Sequence, residues 1–318
     1  MVTQEKSVVG IGGEPKLLGS FDVVWKYLGQ LDESAPAPSP STVDDNHGTE
    51  SDDIQVSELS YAVISNQPSS FKTGSILLYS TSDRSVTLFP DKTIVKSGKT
   101  ISLEEAEAIQ VAALAGLPVP EIFTTDSQPG GINVLQMSQV EGRPLSEVWR
   151  TMTLRQKRSI ALQLRSMLTT MRALQAPPRL VGACSGGQFR DSRLCHSHYF
   201  PSLVNEDEFN KYLISNLSHV TPRPVRDAFT RQQRNGHRIV FTHGDLSPRN
   251  IIVSNDRIVG LVDWEEAGWF PEYWEYVKFF LRTGAEDGDW PSYAYEIFPE
   301  VYHDELVLYF SILQWQSP

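Results

Sequence analysis

The chain has 318 residues, enough to bury a core in one large domain or two closely packed lobes. Its 39 acidic against 28 basic side chains leave a formal charge of -11, which argues against a nucleic-acid or anionic-membrane surface. With only Cys184 and Cys195, no apolar run of transmembrane length and no basic-then-apolar leader in MVTQEKSVVG, a soluble cytoplasmic protein is expected.

Residues 1–54 read as a flexible lead-in. Within them FDVVWKYLGQL can form one short amphipathic helix through Phe21, Val24, Trp25 and Leu28. The ESAPAPSPSTVDDNHGTE that follows has too little to bury and reads as a linker. The early GIGGEP lacks the further glycine, lysine and hydroxyl of a phosphate loop. Residues 55–140 then read as a small lobe. SILLYS, SVTLFP and the TIVK run are strand candidates. SLEEAEAIQVAALAG predicts a helix over 102–116, with Ser102 as cap, Glu105 completing a capping box, and Gly116 and Pro118 as the stop. EIFTT and NVLQMSQV supply further strands.

From EGRPLSEVW onward, helices dominate a large lobe spanning 141–318. Ile160, Leu164, Met167, Leu168, Met171 and Leu174 recur at helical spacing and predict a core stripe. Phe209–Leu217 predicts another helix, RIVFTHGDL enters a β-rich hairpin, and PEYWEYVKFFLR turns helical again. A small mixed lobe followed by a larger helical one leaves a cleft between them.

The most informative stretch is FTHGDLSPRNIIVSNDRIVGLVDWEEAGW. Asp245 and Asn250 flank one loop, and a hairpin built from IIV, NDR and RIVGLV returns Asp263 towards them. Asp263 offers an anionic oxygen and Asn250 a neutral one, hard ligands that suit Mg²⁺ beside the phosphates of ATP. Asp245 is left to accept the hydrogen bond of a hydroxyl and aim its oxygen at the γ-phosphorus. His243 is read as a structural support for the loop, and Gly244 as its sharp turn. Lys96, closing TIVK, can reach the α- and β-phosphates with an acid of the next helix holding its ammonium. Glu105 is the preferred partner, with Glu104 and Glu107 as alternatives.

VK at 95–96, the EAEA helix leading to LPVP, MSQVEGRPL, HGDLSPRN and GLVDWEEAGW occur in this order over roughly 75–300. In this the chain resembles the aminoglycoside phosphotransferase and choline-kinase-like superfamily, most closely its fungal aminoglycoside-phosphotransferase-domain proteins. The resemblance implies an α+β, bilobal protein-kinase-like fold with ATP between the lobes and transfer to a small-molecule hydroxyl. It implies Asp245 as catalytic aspartate, Asn250 and Asp263 as magnesium ligands and Lys96 as phosphate contact. It also makes Ser138, Gln139 and Val140 the inter-lobe segment meeting adenine. The chain departs from the pattern in having no glycine-rich loop in SILLYSTSDRSVTLF, where Ser80, Thr81 and Ser82 offer hydroxyls instead.

For the acceptor, the acids and aromatics after Asp263 make Glu265, Glu266 and Trp269 candidates to receive a cationic hydroxyl compound. A core role for most of the aromatics is the competing reading. Amino sugars, amino alcohols, sugars and secondary metabolites all remain candidates, and the sequence assigns no oligomeric state. Asp191, Cys195, His196 and His198 are potential zinc donors, but without a second ligand pair no metal is assigned there. The rival from another class is a kinase-like pseudoenzyme or nucleotide-sensing interaction protein.

Overall fold

The computed structural model describes residues 74–192, 198–282 and 287–316. The expected lead-in at 1–54 with its helix at 21–31, the first part of the expected small lobe, Cys195 and His196 lie outside them.

Five short runs rich in β-branched and aromatic residues form the first sheet. These are β1 (Ile76–Ser80), β2 (Arg84–Leu88), β3 (Thr93–Gly98), β4 (Ile122–Gln128) and β5 (Ile132–Ser138), in the antiparallel order β1-β2-β3-β5-β4. The central β3 places Lys96 opposite Val86 on one side and Leu135 on the other.

Between β3 and β4 runs α1 (Glu104–Leu114), which buries Glu105, Ala106, Ala108, Ile109 and Ala112. Its start differs from the expected capping box. Leu103 is the N-cap without a side-chain bond, and Ser102 Oγ accepts only from the Glu104 N–H at 3.3 Å. The Glu105 carboxylate is drawn away by Lys96. The helix ends as expected: Gly116 N–H bonds Ala113 and Leu117 N–H bonds Ala112, a Schellman closure that needs Gly116 at φ +76.

After β6 (Arg143–Pro144), the long α2 (Leu154–Ala173) carries the capping box, Thr153 with Gln156. Ile160, Leu164, Leu168 and Met171 are fully buried, while Met167 and Leu174 pack at the edge. The order then continues β7 (Gln188–Asp191), β8 (His198–Pro201), α3 (Glu206–Ser215), α4 (Arg223–Gln232), β9 (Ile239–Thr242), β10 (Ile251–Ser254), β11 (Arg257–Leu261), β12 (Gly268–Pro271), α5 (Trp274–Leu281) and α6 (His303–Leu313). In the large lobe β10 lies between β11 and β6, and β9 pairs with β12.

One core cluster runs from Ala108 and Leu135 at the first sheet through Leu164 to Trp290 and Phe298. Tyr273, Trp274, Tyr276, Val277 and Phe279 of the PEYWEYVKFF stretch belong to it, so the aromatics of this stretch fill the interior together with Val277. Among the described residues no helix is long and apolar enough to cross a membrane.

Candidate active site

The site begins at β3. Its Lys96 is mostly buried, with Nζ 2.7 Å from Glu105 Oε1 on α1 and 2.7 Å from Asp263 Oδ1 beyond β11. Of the three acids considered on α1, Glu105 meets the lysine, Glu104 accepts from Ser185 and Glu107 is exposed. Burial opposes the ammonium, but the Asp263, Glu105 and Glu265 carboxylates outweigh it and hold Lys96 above the ordinary lysine range. Burial likewise opposes the Asp263 carboxylate, yet Lys96 beside it keeps it well below the usual range and therefore ionised. Asp263 adopts φ +66, a left-handed conformation that a side chain rarely takes and that here turns the carboxylate back to Lys96.

The loop after β9 carries His243, Gly244 and Asp245. His243 is fully buried; its Nδ1 accepts the Asp245 N–H at 3.2 Å and its Nε2 donates to the Val262 carbonyl at 3.1 Å. Burial pushes its pKa down, so the neutral ring clamps the Asp245 loop to the strand leading into Asp263. Gly244 has φ +82, and a Cβ there would stand 2.6 Å from the Glu266 carbonyl oxygen, which excludes any side chain.

Glu275 of α5 fixes the same loop from behind. Its buried carboxylate accepts the His243 N–H at 2.6 Å and the Gly244 N–H at 3.1 Å. Burial pushes Glu275 up to about 7 against the pull of these two bonds. Sequence reasoning passed over this role. Its one visible signal was an acid in the mostly apolar helix WEYVKFFL.

Asp245 has two unlike oxygens. Oδ2 accepts from Arg249 Nη2 at 2.5 Å, whereas Oδ1 is buried without a hydrogen-bond partner. A buried carboxylate oxygen left open is costly unless something binds there. Asn250 donates its Nδ2 to the Asp245 carbonyl at 3.0 Å, so the planar amide presents its oxygen on the opposite side. Its backbone carbonyl receives the Val262 N–H at 3.0 Å, tying Asn250 to the chain entering Asp263.

The expected inter-lobe segment begins at the last residue of β5. Ser138 N–H bonds Glu121 and Gln139 N–H bonds Lys92, each at 2.8 Å. The Val140 side chain packs so tightly on Gly260 that a Cβ there would lie 2.5 Å from Val140 Cγ1. In the first hairpin, the Thr81 hydroxyl is engaged by the N–H groups of Asp83 and Arg84 and that of Ser82 by Asp83, so both build the turn itself. Arg84, which sequence reasoning missed, crosses from this hairpin to Glu265 at 2.8 Å.

The three acceptor candidates have other partners. Glu265 pairs with both Arg84 and Arg190. Burial first, then repulsion from Asp263, raises it to about 7 despite these cations. Glu266 is buried against Lys278 at 2.6 Å and also meets Arg282 and Ser192. Trp269 is 5% exposed on β12 and packs on Phe241. It belongs to the core rather than to a ligand surface. Asp191, one of the potential zinc donors, accepts from Tyr212 Oη at 2.6 Å. Among the described residues no three His, Cys, Asp or Glu side chains form a metal cluster.

The model of the phosphotransferase enzyme family matches residues 92–302. The aminoglycoside 3'-phosphotransferase of Enterococcus faecalis is 24% identical over 190 residues, covering 60% of this chain and 68% of that protein. Among solved structures, a thermostable mutant of aminoglycoside phosphotransferase APH(4)-Ia in a ternary complex with ADP and hygromycin B superposes with TM-score 0.54 at 12% identity, covering 76% of this chain and 84% of the other. An aminoglycoside-3'-phosphotransferase of type VIII gives TM-score 0.51 at 15% identity, covering 76% and 94%. These likenesses show an α+β kinase-like fold, a sheet-based first lobe on a mainly helical second. The chain belongs to the phosphotransferase enzyme family.

Proposed function

We propose that the protein is an ATP-dependent phosphotransferase that moves the γ-phosphoryl group to the hydroxyl of a small molecule. The observation that carries this reading is the buried, unpartnered Oδ1 of Asp245, on a clamped loop together with Asn250, Asp263 and the Lys96–Glu105 pair. In this reading Asp245 accepts the hydrogen bond of the acceptor hydroxyl and orients its oxygen. As that oxygen bonds to phosphorus and the bond to the ADP oxygen breaks, Asp245 takes the released proton. Lys96, steadied by Glu105, contacts phosphate oxygens of the nucleotide. The Ser138–Val140 segment borders the base.

The residues present fit a magnesium ion. An ionised carboxylate at Asp263 and an amide oxygen at Asn250 are hard donors, too few for an all-protein cage and suited to an ion that shares its shell with phosphates and water. Bound there, Mg²⁺ supplies charge neutralisation on the phosphate oxygens.

The test is mass-spectrometric detection of phosphorylated products after incubation with Mg-ATP and a pooled metabolite library. Products gaining one phosphoryl group with the wild-type protein, and absent with Asp245→Asn, support the reading. Equal product with Asp245→Asn removes Asp245 from its role. A second reading, nucleotide sensing without transfer, draws on the first hairpin, where the Thr81 and Ser82 hydroxyls are occupied by their own turn. It predicts Mg-ATP binding and no product.

A further inference from the structure

The acidic, aromatic stretch after Asp263 invites a cationic acceptor, but the side-chain pairing points the other way. Among the described residues, each carboxylate around Asp245 already has a strong partner. Glu265 is held by Arg84 and Arg190, and Glu266 by Lys278 and Arg282. Glu275 is engaged by two backbone N–H groups, and Asp263 by Lys96. Among the described residues, an ammonium entering here would find only Asp245 Oδ1, the atom proposed to receive the hydroxyl, without a partner, and would approach several fixed cations.

Arg249 occupies the decisive position. One nitrogen is 2.5 Å from Asp245 Oδ2, so any molecule whose hydroxyl reaches the neighbouring Oδ1 lies close to the guanidinium. Its side chain is 52% exposed, which leaves other N–H donors open to a ligand. Arg282, at 22% exposure, is instead taken up by Glu266 and Ser192. Arginine presents a planar fork that matches carboxylates and phosphates.

We propose that the acceptor is an anionic alcohol, a hydroxyl compound bearing a carboxylate or phosphate. Arg249 binds the anion while Asp245 receives the hydroxyl. The proposal rests on the phosphotransferase reading and replaces its open acceptor with a charge class. Lys278 stays behind as a sealed counter-ion of Glu266.

The full chain is first tested for Mg-AMP-PNP binding by thermal shift. It is then offered two matched series: glycerol, glycerate, glycerol 3-phosphate and serinol; glucose, glucuronate, glucose 6-phosphate and glucosamine. Retention on the Mg-AMP-PNP complex is read by saturation-transfer NMR, and product formation with Mg-ATP by mass spectrometry. The anionic members are expected to outperform the amine of the same skeleton by at least about tenfold. Carboxylate and phosphate arms identify which anion fits. For the best anionic probe, Arg249→Gln is expected to raise the acceptor KM about tenfold or more while the ATP KM stays within about twofold. Arg249→Glu is expected to shift retention towards the amines, a gain that a misfolded variant cannot produce.

Preference for the amines, equal treatment of all charges, or no retention of any anionic probe overturns the proposal. So does an Arg249→Gln effect confined to the ATP KM, which would assign the arginine to the nucleotide. Absence of nucleotide binding removes the phosphotransferase reading itself and this inference with it, whereas nucleotide binding with amine selectivity removes this inference alone.

Discussion

The Lys96 ammonium is 2.7 Å from the Asp263 carboxylate, although 167 residues separate them. With Glu105 on its other side, this one nitrogen joins the central strand of the first sheet, the helix behind it and the loop beyond β11. Lys96→Met therefore leaves Glu105 and Asp263 without their shared cation. Removing one partner from a buried ion pair costs about 3–5 kcal/mol, so a clear fall in the urea midpoint is expected together with loss of turnover. An unchanged midpoint would mean that the cluster is far wetter than its burial indicates.

Asp263→Ala removes the one ionised ligand assigned to magnesium. Turnover is expected to fall by about 100-fold or more, and the magnesium titration of the residual rate to move to higher concentration. Turnover and magnesium dependence identical to wild type contradict the assignment.

Gly244→Ala introduces a Cβ at φ +82, against the Glu266 carbonyl oxygen. The left-handed conformation alone costs a side chain about 1–2 kcal/mol, and the close backbone contact adds to it. Chemical denaturation should register a loss of about 2 kcal/mol or more, with reduced turnover because Asp245 is the next residue. Wild-type stability would show that the loop can yield.

Glu275 sets a pH dependence. Its folded pKa is raised by burial from 4.5 to about 7, so the folded state binds its proton more tightly than the unfolded chain does. The resulting stability is fully present below about pH 4.5 and is lost as pH rises through about 7, for a total of about 3 kcal/mol. Glu275→Gln abolishes this titration. Between about pH 5 and pH 8 the wild-type midpoint should therefore fall more steeply than that of the variant. Parallel curves would refute the linkage; Glu265, raised in the same range, remains in both proteins.

Much of the fold could be read locally. The strands of the first sheet, the α1 helix and the stripe through Ile160 to Met171 follow from β-rich composition or helical spacing, and the helical period survives folding because one face of each of these helices is buried. The HGDLSPRN and GLVDWEE segments are brought together by a single hairpin, whose turn residues were visible. Distant pairings were not visible in this way. Arg84 meets Glu265 across 181 residues, and no local pattern marks either as a partner. Glu265 and Glu266 looked available because their counter-charges come from other elements. Ser102 and Glu105 had capping-box spacing, but a lysine nearby in space outcompeted the backbone N–H for the glutamate, and the box formed at Thr153 and Gln156.

The position of β10 has an evolutionary consequence. Asn250 stands immediately before it, β11 on one side leads into Asp263, and β6 on the other follows directly on the Ser138–Val140 segment. Main-chain bonds from Leu261 to Pro118 and from Val262 to Asn250 complete the lattice. Such bonds are indifferent to which side chains hang from them. Arg249, the group proposed to meet the acceptor, is instead held by a side-chain bond to Asp245. If the proposed reading holds, a point substitution at such a side chain changes the acceptor while this main-chain lattice is inherited unaltered.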